Sequence, residues 1–160
     1  MCSSDLGASV ITAVTAQNTL GVRESFPLPP EIVAAQLSAV LEDLHPAAIK
    51  IGMLGDAAVA QTVADALAAH PDVPVVLDPV LVATSGATLT QASVFELVRD
   101  TLIPRATLVT PNIPEAGELT GVEVHDAGSM GQAARAFLDS GVQAVLVKGG
   151  HDQAELLVDR

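Results

Sequence analysis

The sequence predicts an α/β domain with a mostly parallel, doubly wound sheet in three layers. Short β-branched apolar runs alternate along the chain with apolar stripes of helical period. The connections between successive runs are too long for hairpins, which calls for right-handed βαβ crossovers and helices over both faces of the sheet. Hydrophobic residues make up 49% of the chain but aromatics only 2%, with no Trp or Tyr. The core is therefore Ala, Val, Leu and Ile, the composition of helices packed on a parallel sheet. At 160 residues the chain is one domain's worth.

Residues 1–6 show no periodicity and read as an N-terminal scar unrelated to the rest of the chain, so the domain is expected over 7–160. Residues 7–15 (GASVITAVT) read as a buried strand that turns polar at Gln17 and Asn18. The prolines and glycine between Gly21 and Pro30 read as a loop ending in a proline-started helix. Val33, Leu37, Val40, Leu41 and Leu44 form that helix's inner face, and His45-Pro46 stops it. Residues 47–51 are the second strand. Asp56 caps the next helix, with Val59, Val63 and Leu67 inward, before His70-Pro71. Residues 73–77 form the third strand, closed by Asp78-Pro79. A loop at 82–86 precedes a helix with Val94, Leu97, Val98 and Leu102 on one side. The fourth strand, 107–110, stops at Pro111, and Asn112 opens a helix that runs to about Thr120-Gly121. Ser129 reads as the cap of a further helix with Met130, Ala134, Phe137 and Leu138 inward. The fifth strand covers 144–148 before Gly149-Gly150, and 155–158 begins another.

Composition removes several functions. A net charge of −12 with seven basic residues spread along the chain cannot form a phosphate-neutralising stripe, which argues against nucleic acid. No run approaches the ~18 apolar residues of a membrane span, and the amino end lacks a charged signal opening. A single cysteine, Cys2, excludes an intrachain disulfide and suits a reducing compartment. Cytoplasmic is the resulting expectation, with no membrane partner. His45, His70, His125 and His151 lack metal-ligand spacing. The absence of GxGxxG after a strand, GxxxxGK[ST] and GxSxG weighs against a dinucleotide enzyme, a P-loop NTPase and a serine hydrolase.

What remains is a pattern of polarity at the carboxyl ends of the strands: Gln17-Asn18, Gly52-Met53, Asp78, Asn112 with Glu115, and Lys148-Gly149-Gly150. Parallel strands bring such ends to one rim, where open α/β sheets bind ligands. Carboxylates hold a hard cation, a lysine neutralises phosphate, and glycines let backbone N–H groups approach, so the set suits a Mg-nucleotide. Glu115 alone would repel a bare phosphate, and a metal ion between them removes that conflict. Each residue also has a plainer role. Asp78 is equally a turn residue before proline, Asn112 a helix cap, Glu115 a first-turn charge, Lys148 a solvated strand end, Met53 packing, and Gln17 a strand terminus.

The blocks GASVITAVTAQNT (7–19), IKIGML (49–54), LDPV (77–80) with VATSG (82–86), TPNIPEA (110–116) and VKGGH (147–151) resemble hydroxymethylpyrimidine/phosphomethylpyrimidine kinases, ribokinase-like enzymes of thiamine biosynthesis. The likeness runs from Gly7 to about Asp159. It implies ATP-dependent phosphorylation of 4-amino-5-hydroxymethyl-2-methylpyrimidine and then of its monophosphate, with Mg²⁺ and ATP. By the same likeness Gln17 hydrogen-bonds the aminopyrimidine near the Thr15 backbone, while Met53 and Val80 pack on its ring. Asn112 and Glu115 position Mg²⁺ at the ATP phosphates, Asp78 assists, and Lys148 contacts the phosphate chain. Family members are often dimers, which implies a possible homodimer. A pyridoxal or pyridoxine kinase and a non-catalytic precursor-binding module are the competing readings; Gln17 and Met53 favour the pyrimidine.

Members of that family begin with a further strand and a glycine-rich segment. They continue to a Gly-x-Gly-[Cys/Asp] turn that forms the anion hole and carries the catalytic residue. The chain contains neither, and the surroundings of Cys2 do not match that turn. The expectation is thus a domain truncated at both ends, with no catalytic base before Arg160, aggregation-prone and without kinase turnover on its own.

Overall fold

The computed structural model describes residues 7–81 and 92–149. The expected N-terminal scar (1–6, with Cys2), the loop 82–86, Gly150, His151 and the strand at 155–158 lie outside the described residues. Within them the element order is β1 (Ala13–Asn18), β2 (Gly21–Pro27), α1 (Pro30–Leu44), β3 (Ile49–Ile51), α2 (Ala57–Ala68) and β4 (Val75–Leu77). Then come α3 (Ala92–Leu97), a π-helical turn (Val98–Leu102), α4 (Ile103–Arg105), β5 (Leu108–Val109), α5 (Ile113–Thr120), α6 (Ala127–Asp139) and β6 (Ala144–Val145).

Strands β3, β4, β5 and β6 form a parallel sheet in that spatial order, as the crossover lengths require. The fold is α/β, and its parallel core is the one the alternating pattern predicts. Right-handed crossovers between strands in sequential order place their helices on one face, and burial follows. Ile51, Val75, Leu77, Val109 and Val147 are buried and join one core with Val59, Val63, Leu67, Val98, Leu102 and Phe137. The opposite face, carrying Lys50, Val76, Leu108 and Ala144 in register, is half-buried to exposed. Among the described residues the face joined to the helices is thus the more deeply buried of the two.

The amino-terminal part corrects the sequence reading. Residues 7–12 are extended without strand pairing, and Ile11 is 47% exposed. The expected loop after Gly21 is instead β2, antiparallel to β1 in a separate two-stranded sheet. Its turn is local chemistry: the Leu20 N–H donates to Asn18 Oδ1 at 2.9 Å, and Gly21 has φ 142°. Pro27 sits at the end of β2, where a strand tolerates the missing donor.

Helix boundaries follow their caps. Asp56 Oδ1 accepts from the Val59 N–H at 2.9 Å, as expected, and His45 ends α1 in the left-handed region. Ser129 does not cap α6. Asp126 does, accepting from the Ser129 N–H at 2.7 Å, while the Ser129 hydroxyl accepts from the Asp126 N–H at 3.0 Å. The reciprocal box favours the start three residues earlier. Val94, Val98 and Leu102 are buried as predicted, on a helix that widens into a π turn.

Candidate active site at the strand ends

The parallel sheet delivers three of the expected tips to one place. Asp78 follows β4, its N–H donating to the Ile51 carbonyl at 2.8 Å. Lys148 follows β6, its N–H donating to the Pro111 carbonyl at 2.8 Å and its backbone bridging in parallel to Asn112. Across this end of the sheet the Lys148 Nζ donates to Asp78 Oδ1 at 2.7 Å. Asp78 and Lys148 are partly exposed, so the pair is held by geometry and remains open to an exchange of partners.

Asn112 and Glu115 form a complete capping box at the start of α5. The Glu115 N–H donates to Asn112 Oδ1, and the Asn112 N–H to Glu115 Oε2, both at 2.9 Å. Pro114 falls in the first turn and Gly121, at φ 73°, ends the helix. Glu115 is 2% exposed, much deeper than a first-turn charge on a surface helix. Burial pushes its carboxyl above the ordinary value, the Asn112 and Leu81 N–H groups and Lys148 pull it back, and the charge of Asp78 pushes it further up. Glu115 is therefore electrostatically coupled to both members of the ion pair. The arrangement is two carboxylates and two ammonium groups at the mouth of parallel strands, Lys148 bonded to Asp78 and the more exposed Lys50 near it.

Gln17 and Thr15 lie elsewhere in the architecture. They sit on β1 of the hairpin and not at the end of a parallel strand, with Gln17 exposed and Thr15 half-buried. Five strand ends meeting at one rim thus become parallel-strand ends plus a hairpin. Met53 is half-buried just beyond β3, and its carbonyl accepts the Thr12 hydroxyl at 2.6 Å. Val80 is half-buried beside Asp78, its N–H donating to the Asp78 carbonyl at 2.8 Å.

Sequence reasoning passed over Lys50, whose Nζ lies 3.8 Å from Asp78 Oδ2, and the Leu81 N–H on Glu115. A lysine inside an apolar strand, on the same parity of the sheet as Asp78, was the available signal for the first. A backbone donor leaves no signal in a side-chain pattern. Among the described residues no three His, Cys, Asp or Glu side chains group as a metal site, and no helix is long and apolar enough to cross a membrane.

Comparison with known proteins gives a consistent answer. The family model described as phosphomethylpyrimidine kinase matches residues 3–160. The hydroxymethylpyrimidine/phosphomethylpyrimidine kinase of Haemophilus influenzae is 48% identical over 156 residues, 96% of this chain and 58% of that protein. The crystal structure of phosphomethylpyrimidine kinase from Clostridium difficile superposes with a TM-score of 0.88 at 40% identity, over 96% of this chain and 66% of that one. The pyridoxal kinase of Staphylococcus aureus, in complex with AMP-PCP and pyridoxal, gives a TM-score of 0.78 at 32% identity, over 94% of this chain and 54% of that one. The chain spans 58% of the length of the first curated relatives it matches.

Proposed function

The chain belongs to the phosphomethylpyrimidine kinase family, and from that premise we propose that it carries phosphate-binding and aminopyrimidine-binding residues of an ATP-dependent pyrimidine kinase. The reaction is phosphorylation of 4-amino-5-hydroxymethyl-2-methylpyrimidine, then of its monophosphate, in thiamine biosynthesis. The observation that supports this most directly is the Lys148–Asp78 pair, 2.7 Å apart, beside the Asn112–Glu115 box. Phosphoryl transfer asks a protein for positioning and charge neutralisation, and this cluster is built for both.

In the resting arrangement Lys148 is held by Asp78. When phosphate oxygens arrive, the Lys148 ammonium exchanges Asp78 for them, and Asp78 Oδ1 becomes free for a cation while Lys50 stays near Oδ2. Asp78 and Glu115 fit Mg²⁺, which takes one or two carboxylates, retains waters and completes its shell with phosphates. Bound there, Mg²⁺ would neutralise charge on the phosphate chain. Glu115 stays fixed by the Asn112 and Leu81 N–H groups throughout, so its charge points to one place. Asn112 keeps the first turn of α5 aimed at the phosphates. On the substrate side Gln17, the Thr15 backbone, Met53 and Val80 form the aminopyrimidine pocket, with β1 and β2 supplying one wall. A cytoplasmic location accompanies a kinase that draws on ATP.

Pyridoxal phosphorylation is the second reading, favoured by the likeness to the pyridoxal kinase structures. Steady-state ADP release by the protein at its natural length, with the hydroxymethylpyrimidine, its monophosphate and pyridoxal in parallel, separates the two. The pyrimidine should give the largest kcat/KM. A preference for pyridoxal would transfer the assignment, and no Mg-ATP turnover with any of them would remove it.

A further inference from the structure

The hairpin that bears Gln17 and Thr15 and the loop that bears Met53 come from different sheets. A pocket made from both needs a tie between them. Residues 7–10, on the chain leading to the hairpin, and the segment from Pro46 to Leu54 flank a cleft of about 850 Å³, with Thr12 and Met53 both in its lining. At the base of the hairpin they meet. The Thr12 hydroxyl donates to the Met53 carbonyl at 2.6 Å, across 41 positions of sequence. The Thr12 carbonyl in turn accepts from the Leu28 N–H at 2.9 Å, on the chain leaving β2. Thr12 therefore binds the strand entering the hairpin, the strand leaving it and the Met53 loop in one node.

The other ties are of a different kind. Gln36 pairs through Oε1 and Nε2 with the Ile11 N–H and carbonyl, at 3.0 and 3.1 Å, and so holds residue 11 to α1. Gly55, at φ 83°, lets the backbone pass close to the hairpin base: a Cβ there would lie 3.2 Å from Pro27 Cβ and 3.4 Å from Ala13 Cβ. Neither fixes the Met53 peptide. The backbone carbonyl of Met53 takes its orientation from a hydroxyl that valine lacks and serine keeps.

We propose that Thr12 is a positioning residue of the aminopyrimidine pocket, setting Met53 relative to Gln17 by joining the hairpin base to the loop after β3. The proposal rests on the pyrimidine-kinase reading and adds a residue that touches no substrate. Its consequence is selective: the pyrimidine side loosens and the phosphate side, carried by Asp78, Asn112, Glu115 and Lys148, does not.

Thr12→Val and Thr12→Ser in the protein at its natural length test it. Thr12→Val keeps the shape, removes the donor and leaves a half-buried carbonyl unpaired, a loss that corresponds to about a tenfold rise in KM for the pyrimidine. KM for ATP should stay within about twofold at that magnitude of local change, and Thr12→Ser should restore the pyrimidine KM. Amide exchange over residues 13–28 should quicken in Thr12→Val and return in Thr12→Ser. Equal changes in both KM values, an unchanged pyrimidine KM, or no rescue by serine would overturn the proposal. Should the valine variant not fold, Thr12→Ala carries the same comparison. A wild-type protein inert toward the pyrimidine would sink the kinase reading instead, and exchange over 13–28 would then decide for or against the tie by itself.

Discussion

Asn112 is both a helix cap and a group aimed at the proposed phosphates, and two substitutions separate those roles. Asn112→Ala removes the Oδ1 acceptor that the Glu115 N–H reaches at 2.9 Å. The reverse bond, from the Asn112 N–H to Glu115 Oε2, uses backbone and survives. One of the box's two hydrogen bonds is thus lost, and with Asn112 only half-buried water can reach the orphaned donor. The cost is about 1 kcal/mol, the usual figure for an N-cap replaced by alanine. Asn112→Asp restores an acceptor of the same shape and ranks equal to asparagine as a cap, so stability should return to within a few tenths of a kcal/mol. It also adds a negative charge next to Asp78 and Glu115, where phosphate must come. The midpoint of urea unfolding reports the first effect and fluorescent Mg-ATP binding the second. Alanine should lower both; aspartate should restore the midpoint and leave nucleotide binding at least about tenfold weaker, the loss seen when a charge-aimed group is spoiled. Full recovery of binding with aspartate would refute the phosphate role, and an unshifted midpoint with alanine would refute the capping argument.

Other outcomes follow from the same geometry. Lys148→Met should cost no more than about 1 kcal/mol of stability, because its ion pair with Asp78 is partly exposed, yet it should weaken Mg-ATP binding by about tenfold or more, read by the same titration. Glu115 has a folded pKa above its unfolded one, so the native state holds the extra proton between the two values. Its contribution is complete below the unfolded value and is lost as pH rises through the folded value; Glu115→Gln should flatten that decline in a pH series of urea midpoints. Leu77→Ala, at a side chain 1% exposed in the centre of the sheet, should cost about 2–5 kcal/mol in the same unfolding assay. Arg105 Nη2 donates to the His70 and Val73 carbonyls at 2.8 and 2.9 Å, so Arg105→Ala should destabilise by about 1–3 kcal/mol and expose 70–73 to amide exchange.

The parallel core and most of its punctuation are local properties, and the residues spell them out. Val75 to Leu77 is apolar throughout because that strand's inner face is buried and its neighbours lie on both sides. Asp56, Asn112 and Gly121 mark helix ends by hydrogen bonds and dihedrals that involve only adjacent residues. Asp78, Asn112, Glu115 and Lys148 could be nominated together because parallel strands must end on the same side. Sequence by itself therefore determined the α/β class, the starts of α2 and α5, and Asp78, Glu115 and Lys148 as charged groups at the strand ends, but neither the start of α6 at Asp126 nor the approach of Lys50 to Asp78. Tertiary structure alone decided three things. It took residues 13–27 out of the sheet and into a hairpin, since a strand exists only by virtue of the partner that completes its hydrogen bonds. It buried Glu115 and joined it to a backbone donor at Leu81, far away in the chain. It brought Thr12 against Met53, and Lys148 against Asp78 across 70 positions. Those pairings depend on which segments the packed core sets side by side, and periodicity along one strand or helix carries no record of its neighbours.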